Sequence, residues 1–232
     1  RAWLLKAAEA DSPEAKFLLG QIYERGMGVE RDLATALSNF REAADGNVIE
    51  AILHLGARYL DGGLGEKAPE KALALYRRGA VELGDGEVQL ALGELYENGS
   101  AVDQDYQQAL SWYHKAVSGG HAHSYNKIGF VHEHGLGVDK NEAKALDYYK
   151  RGAAADVAVS KFNVAMMLDA GRGVPAADPV EAARWMYQAA VAGMPLAQNE
   201  LGVRYQTGKG LMVDLLAAKG WFEASAHAGL AA

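Results

Sequence analysis

The chain contains no cysteine, which excludes a disulfide framework and any metal site built on thiolates. It has no apolar run approaching the ~20 residues that a bilayer-spanning helix requires. A clustered basic surface is missing too. The formal net charge is −7, so nucleic acid, which calls for such a surface, is a disfavoured partner. No linker, charge block or low-complexity segment divides the 232 residues. No serine, histidine and acid stand at a spacing recognisable as a nucleophilic triad, so catalysis has no evident carrier, and no cofactor is expected. What is present, 50% hydrophobic and 23% charged residues, is the balance of a folded chain rather than a disordered one.

What the chain has in quantity is internal repetition, and the repeat organises everything else. A small residue recurs at Gly20, Gly56, Gly93, Gly129, Ala165 and Gly202, in steps of 36, 37, 36, 36 and 37 residues. A second glycine recurs in the same register at Gly26, Gly62, Gly99, Gly135, Gly171 and Gly208. A large side chain follows as Trp3, Leu75, Trp112, Tyr148, Trp185 and Trp221, broken only by Asn39. Four residues later stands a small residue: Ala7, Ala43, Gly79, Ala116, Gly152, Ala189 or Ser225.

The spacing predicts two helices per repeat. Ala15, Leu19, Gly20 and Tyr23 fall on one stripe of a 3.6-residue helix, and Ala36, Asn39, Phe40 and Ala43 form a matching stripe in the next segment. Each segment holds about 14 residues, so each helix should be roughly 21 Å long. Gly26 and its equivalents stand where a helix end needs a positive φ, and Ser12-Pro13 reads as an N-cap followed by a first-turn proline. Gly20 lies inside its helix, where it should cost about 1 kcal/mol relative to alanine. A cost repeated in nearly every unit implies that two helices cross there with no room for a larger side chain.

The pattern A-x-x-x-L-G-x-x-Y-x-x-G-x-G-V followed by A-x-x-W/Y-x-x-x-A-A resembles the Sel1-like repeat family, relatives of the tetratricopeptide repeat. The match covers essentially the whole chain: a half unit at 1–11 and units at about 12–47, 48–84, 85–120, 121–156, 157–193 and 194–230. His132 and Leu168 depart from the Tyr23-type residue, Ala165 from glycine, and the second and third loops lack GxGV. The absence of cysteine sets the chain apart from family members whose repeats are closed by disulfides. The resemblance implies an all-α, right-handed α-solenoid of helix-turn-helix repeats that binds other proteins and assembles or regulates complexes without catalysing a reaction. The missing initiator methionine, the leading half unit and the ending at Leu230-Ala231-Ala232 read as a piece of a longer array.

In related tetratricopeptide repeats the first helix of each unit lines a concave binding surface. Carried over by register, that surface contains Glu14, Glu24, Glu50, Asp61, Glu87, Glu94, Glu97, Glu133 and Asp169, against Arg25 as its one arginine or lysine. Such a lining favours a basic partner segment, because opposed charge speeds encounter and sets register. Its C-terminal half changes character: Asn126, Phe130, Phe162, Met166 and Asn199 join amides to large apolar groups, with Glu133 and His134 beside them. Amides and apolar pockets together can hold an extended peptide. Core packing is the competing explanation for the two phenylalanines.

Five histidines crowd between His114 and His134. Residues two apart on a helix point roughly 200° apart, so His132 and His134 are poorly placed to share an ion, and His132 reads as a packed residue. Gly26-Met27-Gly28 and its equivalents look like phosphate loops but follow no strand and are repeat turns. Trp112, Trp185 and Trp221 read as core. The expected function is an adaptor for protein assemblies. A receptor for peptide or glycan fragments of the cell envelope is the alternative, with a hydrolase third. Family resemblance alone favours a bacterial envelope or periplasmic setting over the cytoplasm.

Overall fold

The structure is a computed structural model and describes residues 12–229. The segments 1–11 and 230–232, and with them Trp3, Ala7 and both chain ends, lie outside the described residues. Twelve helices are described. In pairs they are α1 (Pro13–Arg25) and α2 (Leu33–Asp45), α3 (Ile49–Asp61) and α4 (Pro69–Val81), α5 (Gly86–Asn98) and α6 (Tyr106–Ser118). The remaining pairs are α7 (Ser124–His134) and α8 (Glu142–Ala154), α9 (Ala158–Asp169) and α10 (Pro179–Val191), α11 (Pro195–Thr207) and α12 (Leu215–His227).

The ends of these helices are set by local chemistry. Ser12 accepts a hydrogen bond from the Ala15 amide, as an N-cap should. Five of the second helices start from an Asp or Asn cap, at Asp32, Asp105, Asn141, Asp178 and Asp214, each accepting from first-turn amides. Five first helices end on a left-handed glycine, from Gly26 at φ 68° to Gly208 at φ 75°. The fifth ends a residue early, on Ala170, and the left-handed glycine, Gly171, follows it.

The chain divides into two compact units, residues 1–121 and 122–232. Within each, hairpin partners pack on each other and the second helix of one repeat packs on the first helix of the next. In the first unit Phe40, Ile52, Leu55, Val88 and Leu92 are buried in one core. In the second, Tyr149, Val164 and Met167 form one buried cluster and Ala165, Met186 and Leu201 another.

The internal glycines are explained by what faces them. A Cβ on Gly20 would sit 2.6 Å from the Phe40 ring, on Gly56 2.2 Å from Tyr76, and on Gly93 2.5 Å from Tyr113. The same approach recurs at 2.6 Å for Gly129 and Tyr149 and at 2.7 Å for Gly202 and Phe222. The fifth repeat tolerates Ala165 because the facing residue is Met186, a flexible thioether rather than a ring. The expected crossing with no spare room is therefore present, and its partner is the residue after the tryptophan series. This corrects one expectation. Trp112, Trp185 and Trp221 are half-buried and pack on the margins of the clusters, while Tyr113, Tyr149 and Met186, one position along, are fully enclosed.

Gly20→Ala should lower stability by about 1–3 kcal/mol through overpacking. Combined with Phe40→Met, which recreates the pairing of Ala165 with Met186, its cost should shrink. Urea unfolding of the two single variants and the double variant measures this, and strictly additive costs would rule out the ring as the constraint.

Candidate functional site

The first helices carry the residues that the sequence nominates, and position within the repeat decides what each can do. Six residues before the small residue, Glu14, Glu50 and Glu87 are exposed in the first turns of α1, α3 and α5. A carboxylate there meets the positive end of the helix dipole, which accounts for part of the acidity of this face. The equivalent positions in the second unit, His123, Val159 and Leu196, carry no acid.

Four residues after the small residue the acids are engaged with the fold. Glu24 is buried and paired with Arg58 Nε at 2.8 Å and His54 Nε2 at 2.9 Å, both on the next repeat. Glu97 accepts from the Tyr113 hydroxyl. Glu133 accepts from the Tyr149 hydroxyl at 2.6 Å and pairs with Arg172. Asp169 pairs with Lys209 and with Arg204 Nη2 at 3.0 Å. Arg204 is fully buried, and its guanidinium makes no well-aligned hydrogen bond among the described residues, so the Asp169 charge holds it chiefly by ionic attraction. These carboxylates join each first helix to its own second helix or to the repeat that follows. Sequence inspection registers the acids but not their partners, which lie 16 to 40 residues away.

The tyrosines feel this environment. Burial, with a smaller contribution from the Glu94 charge, pushes the Tyr76 hydroxyl up to about 12. Burial followed by the hydrogen bond to Glu97 raises Tyr113, and burial followed by the bond to Glu133 raises Tyr149.

The exposed feature of the second unit is apolar. Phe130, Met166 and Val203 occupy one repeat position on α7, α9 and α11 and are 39%, 37% and 37% exposed. The same position in the first unit is Gln21, Ala57 and Glu94. His134 Nδ1 donates to the Phe130 carbonyl at 3.0 Å and its ring lies 4.2 Å from the Phe130 ring. Asn126 accepts from Asn163 at 2.7 Å, tying α7 to α9, and Asn199 is half-buried. Phe162 is half-buried against the core, unlike Phe130. His132 is buried with its ring stacked on Tyr148 at 5.7 Å, the packed position expected of it. This set offers contact surface and amide groups rather than a reactive centre.

Paired helices repeated in register, with the second helix of one repeat packed on the first helix of the next within each unit, define an α-solenoid. The Sel1 repeat family model matches residues 1–12, 13–48, 49–80, 86–121, 122–157, 158–194 and 195–230. The chain belongs to the Sel1 repeat family, generally a non-enzymatic scaffold fold whose members bind proteins. It is similar to the crystal structure of a Sel1 repeat protein from Oxalobacter formigenes, with 30% identity, a TM-score of 0.82, and coverage of 94% of this chain and 89% of that one. It is also similar to a protective antigen of uropathogenic Escherichia coli displaying an SLR fold, with 27% identity, a TM-score of 0.81, and coverage of 99% of this chain and 49% of that one. A curated relative, chitin synthase regulatory factor 3 of Schizosaccharomyces pombe, is 25% identical over 240 residues, covering 84% of this chain and 26% of the relative. The chain thus spans about a quarter of that protein. No described helix is long and apolar enough to cross a membrane.

Asp169→Ala leaves the buried Arg204 with only the more distant Glu200, 3.6 Å from its Nε, and should cost about 3–5 kcal/mol in urea unfolding. Loss of less than 1 kcal/mol would show that Arg204 is held by other means. The raised tyrosines give an alkaline signature. A hydroxyl whose folded value lies above its ordinary value of 10.0 contributes stability that is whole below that pH and is lost as pH rises through the folded value. Stability should therefore fall between pH 10 and about 12, and Tyr76→Phe should make that fall shallower.

Proposed function

We propose that this chain is an adaptor that holds a partner protein segment on its first-helix faces and so assembles or regulates a complex. The observation that carries the reading is the row Phe130, Met166 and Val203: three equivalent positions on successive first helices, each more than a third exposed. A soluble helical repeat has no packing reason to show large apolar groups at one repeated outward position, and such rows mark contact surfaces. Asn126 and Asn199 add amide groups next to it for the backbone of an extended segment. The regulatory role named for the fission-yeast relative supports an adaptor over an enzyme.

The first unit would contribute charge. Glu50 and Glu87 are exposed and Glu94, whose charge also acts on Tyr76, is half-exposed; a basic stretch of the partner would meet them there, and Glu97 and Glu133 serve tyrosine and arginine partners. A glycan receptor fits less well. Phe130 and Tyr187 are the exposed aromatics among the described residues, and they occupy unrelated repeat positions, so no platform for stacking sugars is formed.

Capture from an extract of the source cells tests the proposal with two variants checked for unchanged helicity. Phe130→Ser with Met166→Ser should lose partners at all salt concentrations. Glu50→Lys with Glu87→Lys and Glu94→Lys should lose only the fraction that high salt also removes. Retention of the same partners by both variants would refute binding on the first-helix faces.

A further inference from the structure

A cavity of about 370 Å³ opens in the first unit between α2, α3 and α4, and none of the outward-facing residues nominated for the adaptor face lines it. Its floor is apolar, built from Ala44, Leu55, Ala74 and Leu75. Its rim carries three cations, Arg41, Lys71 and Arg78, and the hydroxyl end of the buried Tyr59.

The hydrogen bonds around this rim leave donors over. Arg41 Nε donates to the Tyr59 oxygen at 2.8 Å and Arg41 Nη2 to Glu66 at 2.9 Å. Lys71 also pairs with Glu66, and Arg78 pairs with Asp45 at 3.1 Å and donates to the Ala44 carbonyl. Tyr59 therefore serves as acceptor toward Arg41 and keeps its own proton to give. Arg78 Nε is buried with no acceptor among the described residues, and an ammonium has three protons of which Glu66 takes one. Three cations against two carboxylates leave one positive charge. Unspent donors and a single surplus charge suit a monoanion better than a dianion.

Repeat equivalence separates this cleft from what the fold requires. The cleft between the fifth and sixth repeats has Tyr187, Ala217 and Ala224 where this one has Arg41, Lys71 and Arg78. That cleft is itself an opening of about 440 Å³ lined by Tyr187, Leu201 and Tyr205 and forms without the cations, so the solenoid does not need them. The floor differs as well. Position 75 is leucine, whereas three of its equivalents are tryptophan, at Trp112, Trp185 and Trp221. In the third repeat the indole sits under the Lys115 ammonium, 3.6 Å from the ring centre. A leucine at this point gives the cleft an aliphatic floor where those repeats carry an indole.

We propose that this cleft is a binding site for a ligand carrying one carboxylate on an aliphatic body, the body seated on Leu55 and Leu75 and the carboxylate taken by Tyr59, Lys71 and Arg78. A peptide C-terminus or a small branched-chain acid would supply this chemistry. The site is independent of the adaptor face and would stand if that reading failed.

The test uses the whole chain, isotope-labelled, with amide resonances of residues 41–45 and 71–78 followed by NMR. Probes are the peptide acetyl-Gly-Ser-Ala-Leu as free acid and as amide, 4-methylpentanoate, and inorganic phosphate. The free acid or 4-methylpentanoate should give saturable shifts there, and whichever binds more tightly names the source. The amide should bind at least tenfold more weakly. Leu75→Trp, a side chain that the fold already accepts at three equivalent positions, should abolish the shifts, and Arg78→Gln should weaken binding tenfold or more. Equal binding of acid and amide, displacement of the acid by phosphate, undiminished binding by a folded Leu75→Trp, or no saturable shift with either carboxylate probe overturns the site.

Discussion

Five of the six described hairpins depend on one close approach: the backbone of a first helix lies against an aromatic ring of the second helix, and only a residue without a side chain lets the two meet. The ring lies where a Cβ would be, at 2.2 to 2.7 Å in five of the repeats. Helix propensity is sacrificed at that glycine, and the loss is offset by burial of rings such as Phe40 and Tyr113, both fully enclosed. Because that contact sets the distance and rotation within a hairpin, it also sets which residues of the first helix face outward. The exposure of Phe130, Met166 and Val203, each one position after the small residue, is a consequence of the same geometry.

Charge on the first helices serves two purposes that composition cannot separate. Acids in the first turns answer the helix dipole and remain exposed, whereas acids near the C-terminal ends are joined to arginines and tyrosines. The second group behaves as a set of fasteners between elements. Where a charge is fully enclosed, as at Arg204, a missing counter-ion is far costlier than at a surface pair, since desolvation is then uncompensated. The apparent acidity of the lining is thus larger than the charge it can offer a partner.

Repetition supplies internal controls. A residue type kept at every equivalent position reports on the fold, and one that appears at a single repeat, or changes between the two units, reports on something local. The shift from Gln21, Ala57 and Glu94 to Phe130, Met166 and Val203 is of this kind, as is Leu75 among tryptophans. The first departure leaves apolar surface that the first unit does not show at that position, and the second puts an aliphatic side chain where three other repeats carry an indole.

How much of this was legible in the sequence follows from the range of each interaction. Period, helix pairs, the Ser12 cap, the glycine ends and the need for a small residue at Gly20 are properties of neighbours along the chain or of strict recurrence, and the sequence by itself determined them. So was the membership of Phe130 and Met166 in the outward series. What faces Gly20 was not legible, since Phe40 and Asn39 are adjacent and a rotation of 100° decides between them. Nor were the partners of Glu24, Glu133 and Asp169, or the cavity under Arg41 and Arg78. These arise between repeats, where side chains thirty or more residues apart meet only once the helices have packed. Tertiary structure alone decided which charges are spent, which phenylalanine is buried, and where space is left, because each is set by the distance between helices rather than by order along one.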